Sequence, residues 1–304
     1  MSHSKVIYTP DLLKGLSFKL TSTPFKPEKI PVNEATIGEF VLTKPSNFKL
    51  TTKAFGGLRK KEEVIQIYLH HTAGSQRADK GKGTVHTFNS RAINKNYGST
   101  HAVIDKNGHL EELIPWEYKA YGQGVTGAYA KYKFDYNRVG MSIEIMALGY
   151  FNEKSPDGKR WVRGDISVPL NEGAPGVDFD LKEIKYKSHP AYHKYTDAQI
   201  KGTIEWTRKW MDFFKIKWEF NEETYKEMFP KQGTLSKSAT GQNGLDKRQG
   251  VYSHNSVSTG KSDVFPQKEL IIALKEAFGP GNTKREELTN LTGTTSTYLQ
   301  STSQ

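Results

Sequence analysis

The chain has 304 residues, of which 35% are hydrophobic and 12% aromatic, so it can build a folded core and is not a wholly disordered chain. Cysteine is absent, which excludes disulfides, cysteine nucleophiles and cysteine-ligated metal centres; any metal must bind through His, Asp or Glu. The net charge of +11 and the pI of about 9.4 favour anionic partners such as nucleic acid, anionic lipid or cell-wall polymers.

The basic residues are scattered, and only short groups such as Arg59-Lys60-Lys61 occur. We interpret them as a solvated surface with a positive field. No module of interleaved aromatic and basic residues is visible, so nucleic acid is not an expected partner. No apolar run approaches about 18 residues, so no transmembrane helix is expected. The first residues lack the long apolar segment of a secretory signal peptide, so an external substrate would require another delivery route.

Residues 1–58 are predicted to be an N-terminal extension that either wraps the main domain or docks to a partner protein. The segment has only short apolar runs, and its prolines disfavour a long helix. These prolines are Pro10, Pro24, Pro27, Pro31 and Pro45.

The main domain is predicted over residues 59–279 and begins with a β-branched and aromatic strand at 64–70. A helix is predicted at 82–93 from the spacing of its apolar residues. Residues 99–115 are predicted to form a hairpin, because Asn107-Gly108 is a strong turn signal. A further strand is expected at 141–148.

Residues 151–195 are polar and contain Gly and Pro, which indicates an insertion. Thr196 and Gln199 match a capping box, so a helix is predicted from there to about Lys215. Its apolar stripe would consist of Ile200, Ile204, Trp210, Met211 and Phe214.

A second insertion is expected near residues 216–249, with a polar, Gly-rich loop at 231–249. A short strand at 250–255 and a helix beginning after Pro266 complete the domain. Residues 280–304 are rich in Thr and Ser and are predicted to be a flexible tail. Alternating strands and helices indicate an α/β fold.

Four elements of this framework are candidates for chemistry: the pair His70-His71 at a strand end, Glu144 within a strand, His254 at the end of the last strand, and Lys261-Ser262-Asp263 in the loop that follows it. Each has an ordinary interpretation when taken alone: a histidine at a strand end is often structural, and a glutamate within a strand often faces solvent. Together they resemble a hydrolytic zinc site.

In such a site, three protein ligands leave a fourth position for water. Two His and one Asp are a suitable set in a chain without Cys. A carboxylate such as Glu144 can act as general base and acid, and a cation such as Lys261 can stabilise an oxyanion. Amide hydrolysis uses these groups.

Five segments in chain order resemble the motifs of type 2 N-acetylmuramoyl-L-alanine amidases, the family of phage endolysins, wall-recycling amidases and peptidoglycan recognition proteins. The segments are IYLHHTAGS (67–75), STHAVIDKNGHLEELIP (99–115), YNRVGMSIEIMALG (136–149), YTDAQ (195–199) and SHNSVSTGKSDVFP (253–266). The resemblance implies an α/β fold with a mixed central β-sheet flanked by helices. It also implies cleavage of the amide between N-acetylmuramic acid and L-alanine in bacterial peptidoglycan.

Residue by residue, the resemblance makes His70, His254 and Asp263 the ligands of Zn²⁺. Glu144 falls at the position of the catalytic carboxylate of recycling-type members, and Lys261 falls at the oxyanion-stabilising position.

Three neighbouring residues receive other roles. His71 would point to the opposite face of its strand. Thr100 stands where some phage members have a catalytic tyrosine, so that role is absent. His101 is expected to support the ligands rather than bind the metal.

The chain departs from the family pattern at two motifs. Tyr121-Gly122-Gln123-Gly124 stands where the family often has Trp-His-Ala-Gly, and Val264-Phe265 replaces the Pro-Gly after the last ligand. The first departure affects substrate contacts more than metal binding.

Three functional hypotheses remain at this stage. The first is a lysin that acts at the cell wall or periplasm after delivery, with residues 1–58 docking to phage-tail or injection-apparatus proteins. The second is a cytoplasmic amidase that recycles muropeptides. The third is a non-catalytic peptidoglycan-binding or structural module on the same fold.

Overall fold

The computed structural model describes residues 35–37, 40–42, 55–73, 99–123, 135–231, 248–258 and 260–281. The predicted helix at 82–93, most of the extension 1–58, the core of the loop at 231–249 and nearly all of the tail 280–304 lie outside these residues. Those predictions therefore stay predictions.

The described residues form seventeen short strands and four α-helices. The strands are β1 (Ala35–Ile37), β2 (Phe40–Leu42), β3 (Phe55–Leu58), β4 (Gln66–His71), β5 (Ala102–Ile104), β6 (Leu110–Glu112), β7 (Tyr118–Ala120), β8 (Gly140–Ile145), β9 (Tyr150–Phe151), β10 (Glu153–Lys154), β11 (Arg160–Arg163), β12 (Ile166–Pro169), β13 (Gly173–Ala174), β14 (Gly176–Val177), β15 (Glu183–Ile184), β16 (Ala191–His193) and β17 (Gly250–Ser253). The helices are α1 (Tyr136–Val139), α2 (Asp197–Phe214), α3 (Glu222–Met228) and α4 (Lys268–Phe278).

A five-stranded mixed sheet in the order β17-β4-β8-β5-β6 is the centre of the domain. Its first four strands are parallel, and β6 pairs antiparallel with β5 across the predicted hairpin. The predicted mixed sheet with flanking helices is thus confirmed. The two predicted strands at 64–70 and 141–148 correspond to β4 and β8.

One face of this sheet packs on the main core. Ile67 and Leu69 of β4 and Ile143 and Ile145 of β8 are buried in a cluster that includes residues of α2 and α4. Since side chains alternate along a strand, the residues between them project from the other face.

The capping box predicted for α2 is present: the Thr196 hydroxyl accepts from the Gln199 amide, and the Gln199 side chain accepts from the Thr196 amide. The helix ends at Phe214, where Lys215 adopts a left-handed conformation. Its apolar stripe is buried as predicted except at Ile204, which is only partly buried.

The β5-β6 turn is fixed against the start of α2. Gly108 has a φ of +80°, and a Cβ there would lie 2.1 Å from the Ala198 carbonyl oxygen. Only glycine fits this close approach. The Thr196 hydroxyl donates to the Lys106 carbonyl at 2.8 Å and ties the helix cap to the same turn.

The insertion at 151–195 is a compact β-structure rather than a loop. It contributes the three-stranded sheets β10-β11-β12 and β13-β16-β9 and the pair β14-β15. The second insertion contains α3, which the sequence patterns did not indicate; Tyr225 and Met228 of this helix are buried in the main core.

Within the described part of the chain, no helix is both long and apolar enough to cross a membrane.

Candidate metal centre

The carboxyl ends of two neighbouring parallel strands bring two histidines together. Ser253 pairs with Leu69 in the register of β17 and β4, so the next residue of each strand, His254 and His70, lies at the same edge of the sheet. Their rings are 4.7 Å apart between centroids and meet at 65°. A short turn and loop then carry the chain from His254 to Asp263.

Asp263 completes a cluster with these two rings. Its Oδ2 lies 3.2 Å from Nδ1 of His70 and 3.2 Å from Nδ1 of His254. One potential ligand atom from each residue lies within 4.8 Å of the others. Both histidines are buried, and the Asp263 side chain is 14% exposed. This set of two imidazoles and one carboxylate can hold a divalent metal ion.

Burial alone would raise the pKa of the Asp263 carboxyl. The charge and hydrogen bond of His254, followed by those of His70, outweigh that effect and hold the pKa well below its usual value. Asp263 is therefore ionised at neutral pH, as a metal ligand must be. In the described structure Nε2 of each of these histidines is buried without a hydrogen-bond partner.

Glu144 lies on the same face of the sheet as His70. The two residues are paired in the register of β8 and β4, and aligned residues of neighbouring strands project from the same face. Glu144 is only 9% exposed, so the interpretation that it faces solvent is wrong. The structure thus places a buried carboxylate on the strand next to His70, on the same face of the sheet.

Lys261 lies in the loop two residues before Asp263, and its side chain is exposed. Among the described residues, its side chain has no hydrogen bond or ion pair, and only its backbone amide is held, by the Ser258 carbonyl at 3.4 Å. Lys261 is therefore close to Asp263 in sequence, but no contact holds its ammonium at the cluster.

His71 projects from the opposite face of β4, as predicted. Its Nδ1 shares a hydrogen bond with the Tyr195 hydroxyl at 3.0 Å, and burial lowers the pKa of His71 to about 4. The same hydroxyl accepts from the Phe265 amide at 3.3 Å. Tyr195 thereby links the buried face of the sheet to the chain just beyond Asp263.

His101 belongs to a separate buried network. Its Nδ1 accepts from the Ser142 amide at 3.0 Å, and its Nε2 donates to the Tyr118 carbonyl at 3.0 Å. Thr100 donates to the Ser142 carbonyl at 3.0 Å. Neither residue hydrogen-bonds to the cluster residues, so the expected support of the ligands by His101 is not visible in these contacts.

Arg59 lies in this network and corrects one prediction. Together with Lys60 and Lys61 it was interpreted as solvated surface, but Arg59 is only 5% exposed. Its guanidinium donates to the carbonyls of Trp116 at 2.7 Å and Gly140 at 2.8 Å.

The insertion places residues beside the cluster that sequence patterns did not single out. Tyr192 stacks on Phe265 with ring centroids 4.7 Å apart. Lys187 is 5% exposed. Burial lowers the pKa of Lys187 to about 8, and Asp263 opposes this shift. The polar composition of residues 151–195 does not indicate that this segment packs close to the cluster.

The mixed sheet and the His/His/Asp cluster at its carboxyl edge together define an α/β protein with a candidate metal centre. The sequence profile of the family described as N-acetylmuramoyl-L-alanine amidase matches residues 60–266, about two thirds of the chain. The chain belongs to this family of amidases, as the resemblance of its five motifs implies.

The chain is also similar to solved structures of amidases, with sequence identities below 20%. AmpDh3 of Pseudomonas aeruginosa, in complex with anhydromuramic pentapeptide, is 16% identical with a TM-score of 0.33; the match covers 76% of this chain and 66% of that one. AmiD of E. coli, in complex with the substrate anhydro-N-acetylmuramic acid-L-Ala-D-gamma-Glu-L-Lys, is 14% identical with a TM-score of 0.30, covering 59% and 51%. The chain thus spans between half and two thirds of the length of these proteins. No curated protein sequence matches it.

Proposed function

We propose that this protein is a zinc-dependent peptidoglycan amidase that cleaves the amide between the lactyl group of N-acetylmuramic acid and L-alanine. The observation that carries the proposal is the convergence of His70, His254 and Asp263, in a chain of the amidase family.

The cluster fits zinc in composition and spacing. Two donor atoms bound to tetrahedral zinc at about 2.0–2.1 Å lie roughly 3.3 Å from each other. The separations of 3.2 Å from Asp263 Oδ2 to the two Nδ1 atoms match this value. When bound, zinc lowers the pKa of a coordinated water and polarises a carbonyl oxygen.

The remaining roles fall to residues of the chain itself. Glu144, paired with His70 across β8 and β4, accepts a proton from the attacking water and returns it to the leaving amine. Lys261 lies in the loop before Asp263 and can swing its exposed ammonium toward the carbonyl oxygen as negative charge develops.

The test combines metal content with cleavage of purified peptidoglycan. We expect about one zinc ion per wild-type chain, and loss of both zinc and cleavage in His254→Ala. His109→Ala is the matched control, because His109 is an exposed histidine in the β5-β6 turn whose only ionic contact among the described residues is Asp105 at 3.9 Å. Cleavage by His254→Ala at the wild-type rate contradicts the zinc mechanism.

We also propose that the enzyme acts at the cell wall or periplasm after delivery by a phage tail or injection apparatus. The net charge of +11 favours association with anionic wall polymers. Residues 1–58 precede the family match, and we propose that this extension docks to the delivery apparatus. Detection of the chain in purified phage or injection-apparatus particles supports this route. Its confinement to the cytoplasm, with activity only on soluble muropeptides, supports the recycling role instead.

A further inference from the structure

We propose that Asn255 and Tyr195 are positioning residues of the metal centre. They hold, from opposite sides, the peptide group between Val264 and Phe265, which directly follows Asp263. Their contacts keep a ligand that lies on a loop in register with two ligands that lie at strand ends. The inference rests on the proposed function, because it concerns the binding of the metal ion.

Asp263 is the ligand whose position the central sheet does not set. His70 lies in β4 and His254 directly follows β17, so the register of these parallel strands places both imidazoles. Asp263 lies outside helices and strands, yet its carboxylate is 3.2 Å from both Nδ1 atoms. The loop therefore needs contacts of its own to keep Asp263 at this distance.

The peptide group between Val264 and Phe265 is buried, and side chains bind both of its polar groups. Nδ2 of Asn255 donates to the Val264 carbonyl at 3.1 Å. On the other side, the Phe265 amide donates to the Tyr195 hydroxyl at 3.3 Å. The carbonyl and the amide of a trans peptide point in opposite directions, so the two side chains together fix the orientation of the peptide plane. Loss of either partner leaves a buried backbone group unpaired.

Each of the two side chains also connects this peptide group to a histidine ligand. Asn255 is the residue after His254, and its contact with the peptide carbonyl is the one hydrogen bond of its side chain in the described part of the chain. The Tyr195 hydroxyl shares a hydrogen bond at 3.0 Å with Nδ1 of His71, the residue after His70. The three ligands are thereby linked through one peptide group.

Tyr195 is held in place independently of its hydroxyl. Its backbone amide donates to Oε1 of Gln267 at 2.7 Å, and its carbonyl accepts from Nε2 of Gln267 at 3.1 Å. Its ring also contacts the ring of Phe265, with centroids 5.0 Å apart. A Tyr195→Phe substitution therefore removes the hydrogen bonds of the hydroxyl and leaves the ring where it is.

The sequence of the loop gives a physical reason for such contacts. Val264-Phe265 stands where the family pattern has Pro-Gly. A proline ring restricts the backbone φ directly after the ligand, and valine lacks this restriction. In this chain the ring of Phe265 stacks on Tyr192 with centroids 4.7 Å apart. This stack and the two side-chain hydrogen bonds supply the rigidity that the missing proline does not.

The first test measures the affinity for zinc. A ligand that is already in place loses less conformational freedom when the metal binds, and residues that orient ligands typically contribute roughly 10–100-fold to metal affinity. Metal-free protein is titrated with Zn²⁺ in competition with a chromophoric chelator. We expect zinc binding to be about tenfold weaker in Tyr195→Phe and in Asn255→Leu.

The second test is spectroscopic and uses Co²⁺ in place of zinc. The visible absorption of bound Co²⁺ depends on the geometry of its ligands, so we expect the band to shift or to lose intensity in both variants. A merely structural role would lower the melting temperature and leave the zinc affinity and the cobalt spectrum of the folded molecules unchanged.

The double variant tests whether Asn255 and Tyr195 act on the same peptide group. Losing either hydrogen bond already frees that group, so the two effects should not be additive. We expect the double variant to lose clearly less than the roughly hundredfold product of the single losses. Fully additive losses would contradict their joint action on one peptide group.

Tyr68→Phe is the matched control. Tyr68 lies in β4, its side chain is buried, and its hydroxyl donates to Oε1 of Gln66 at 2.8 Å. The substitution removes a buried tyrosine hydroxyl from the strand that carries His70, but the lost hydrogen bond lies at the opposite end of that strand. We expect Tyr68→Phe to keep the zinc affinity and the cobalt spectrum of the wild type.

Unchanged zinc affinity and an unchanged cobalt spectrum in folded Tyr195→Phe would overturn the inference, even where Asn255→Leu fails to fold. A wild type that binds zinc without cleaving peptidoglycan contradicts the proposed function, and the affinities still decide the positioning roles.

If the wild type binds neither ion, the proposed function fails and NMR of the metal-free protein decides the positioning role. The imidazole nitrogen shifts of His70 and His254 report the hydrogen bonds of these rings to Asp263. Tyr195→Phe should change these shifts, and Tyr68→Phe should not. Identical shifts in the wild type and in Tyr195→Phe contradict the positioning role.

Discussion

Two buried polar clusters lie on the central sheet, and their hydrogen bonds differ in kind. In the network of Arg59 and His101, donors point at backbone carbonyls and both ring nitrogens of His101 have partners. In the cluster of His70, His254 and Asp263, two imidazoles converge on one carboxylate oxygen. The first network provides hydrogen-bond donors for buried backbone carbonyls of the fold. The second concentrates lone pairs at one point. Such an arrangement suits the binding of a cation, whereas it contributes less to the free energy of folding than a set of fully paired hydrogen bonds.

The largest expected effect concerns Glu144, because it tests chemistry at the cluster without removing a metal ligand. Glu144→Gln keeps the shape of the side chain but cannot accept a proton. We expect turnover to fall by about 10³-fold, with zinc content unchanged. Steady-state kinetics and metal analysis on the same preparation measure both quantities. Unchanged turnover would assign the general base to another residue.

The next effect concerns the structural network. Arg59→Met should leave several buried carbonyls without donors, among them those of Trp116 and Gly140, and lower the free energy of unfolding by about 3–5 kcal/mol. Urea denaturation measures this loss. Zinc content and turnover of the molecules that remain folded should match the wild type. Loss of zinc from folded Arg59→Met would show that the two clusters are coupled.

A smaller effect is expected from His193, a buried histidine outside both clusters. Its Nδ1 has no partner among the described residues, yet no second ligand converges on it. Burial, helped by the charges of Lys106 and His71, lowers the pKa of His193 to about 4; the carboxylate of Glu172 at 3.7 Å is half-exposed and does not offset this.

The unfolded chain therefore binds this proton more tightly than the folded chain, since a free histidine has a pKa of about 6.5. Stability attributable to His193 is present above pH 6.5 and is lost as the pH falls from 6.5 toward 4, by about 2–3 kcal/mol. Thermal melts over this range should show a weaker pH dependence for His193→Gln than for the wild type. Identical pH dependence would show that the side chain takes up no proton on unfolding.

The sequence predicts the frame of this fold because local signals and tertiary structure agree there. Val64 to His70 has the composition of a buried strand, Asn107-Gly108 is a strong turn signal, and the Thr196–Gln199 box marks the helix start unambiguously. His70, Glu144 and His254 lie in or directly after such strands, whereas Lys261 and Asp263 lie in a loop; the structure brings His70, His254 and Asp263 together.

Other features depend on contacts that no local pattern encodes. Arg59 stands in a basic triplet, and only the surrounding carbonyls show why it is buried. The turn at Lys187-Ser188 contains neither Gly nor Asn, so the usual signal for positive φ is missing. The strands of the insertion are mostly two to four residues long, too short for an alternation pattern to be recognised.

The hydroxyl of Tyr195 has a consequence that extends beyond its two hydrogen bonds. By joining His71 on the underside of the sheet to the amide of Phe265, it anchors the loop of Asp263 from beneath. The position of Asp263 in the cluster is thereby set from the buried face of the sheet. Substitutions in the buried interior can thus shift the geometry of the His/His/Asp cluster without altering any of its three residues.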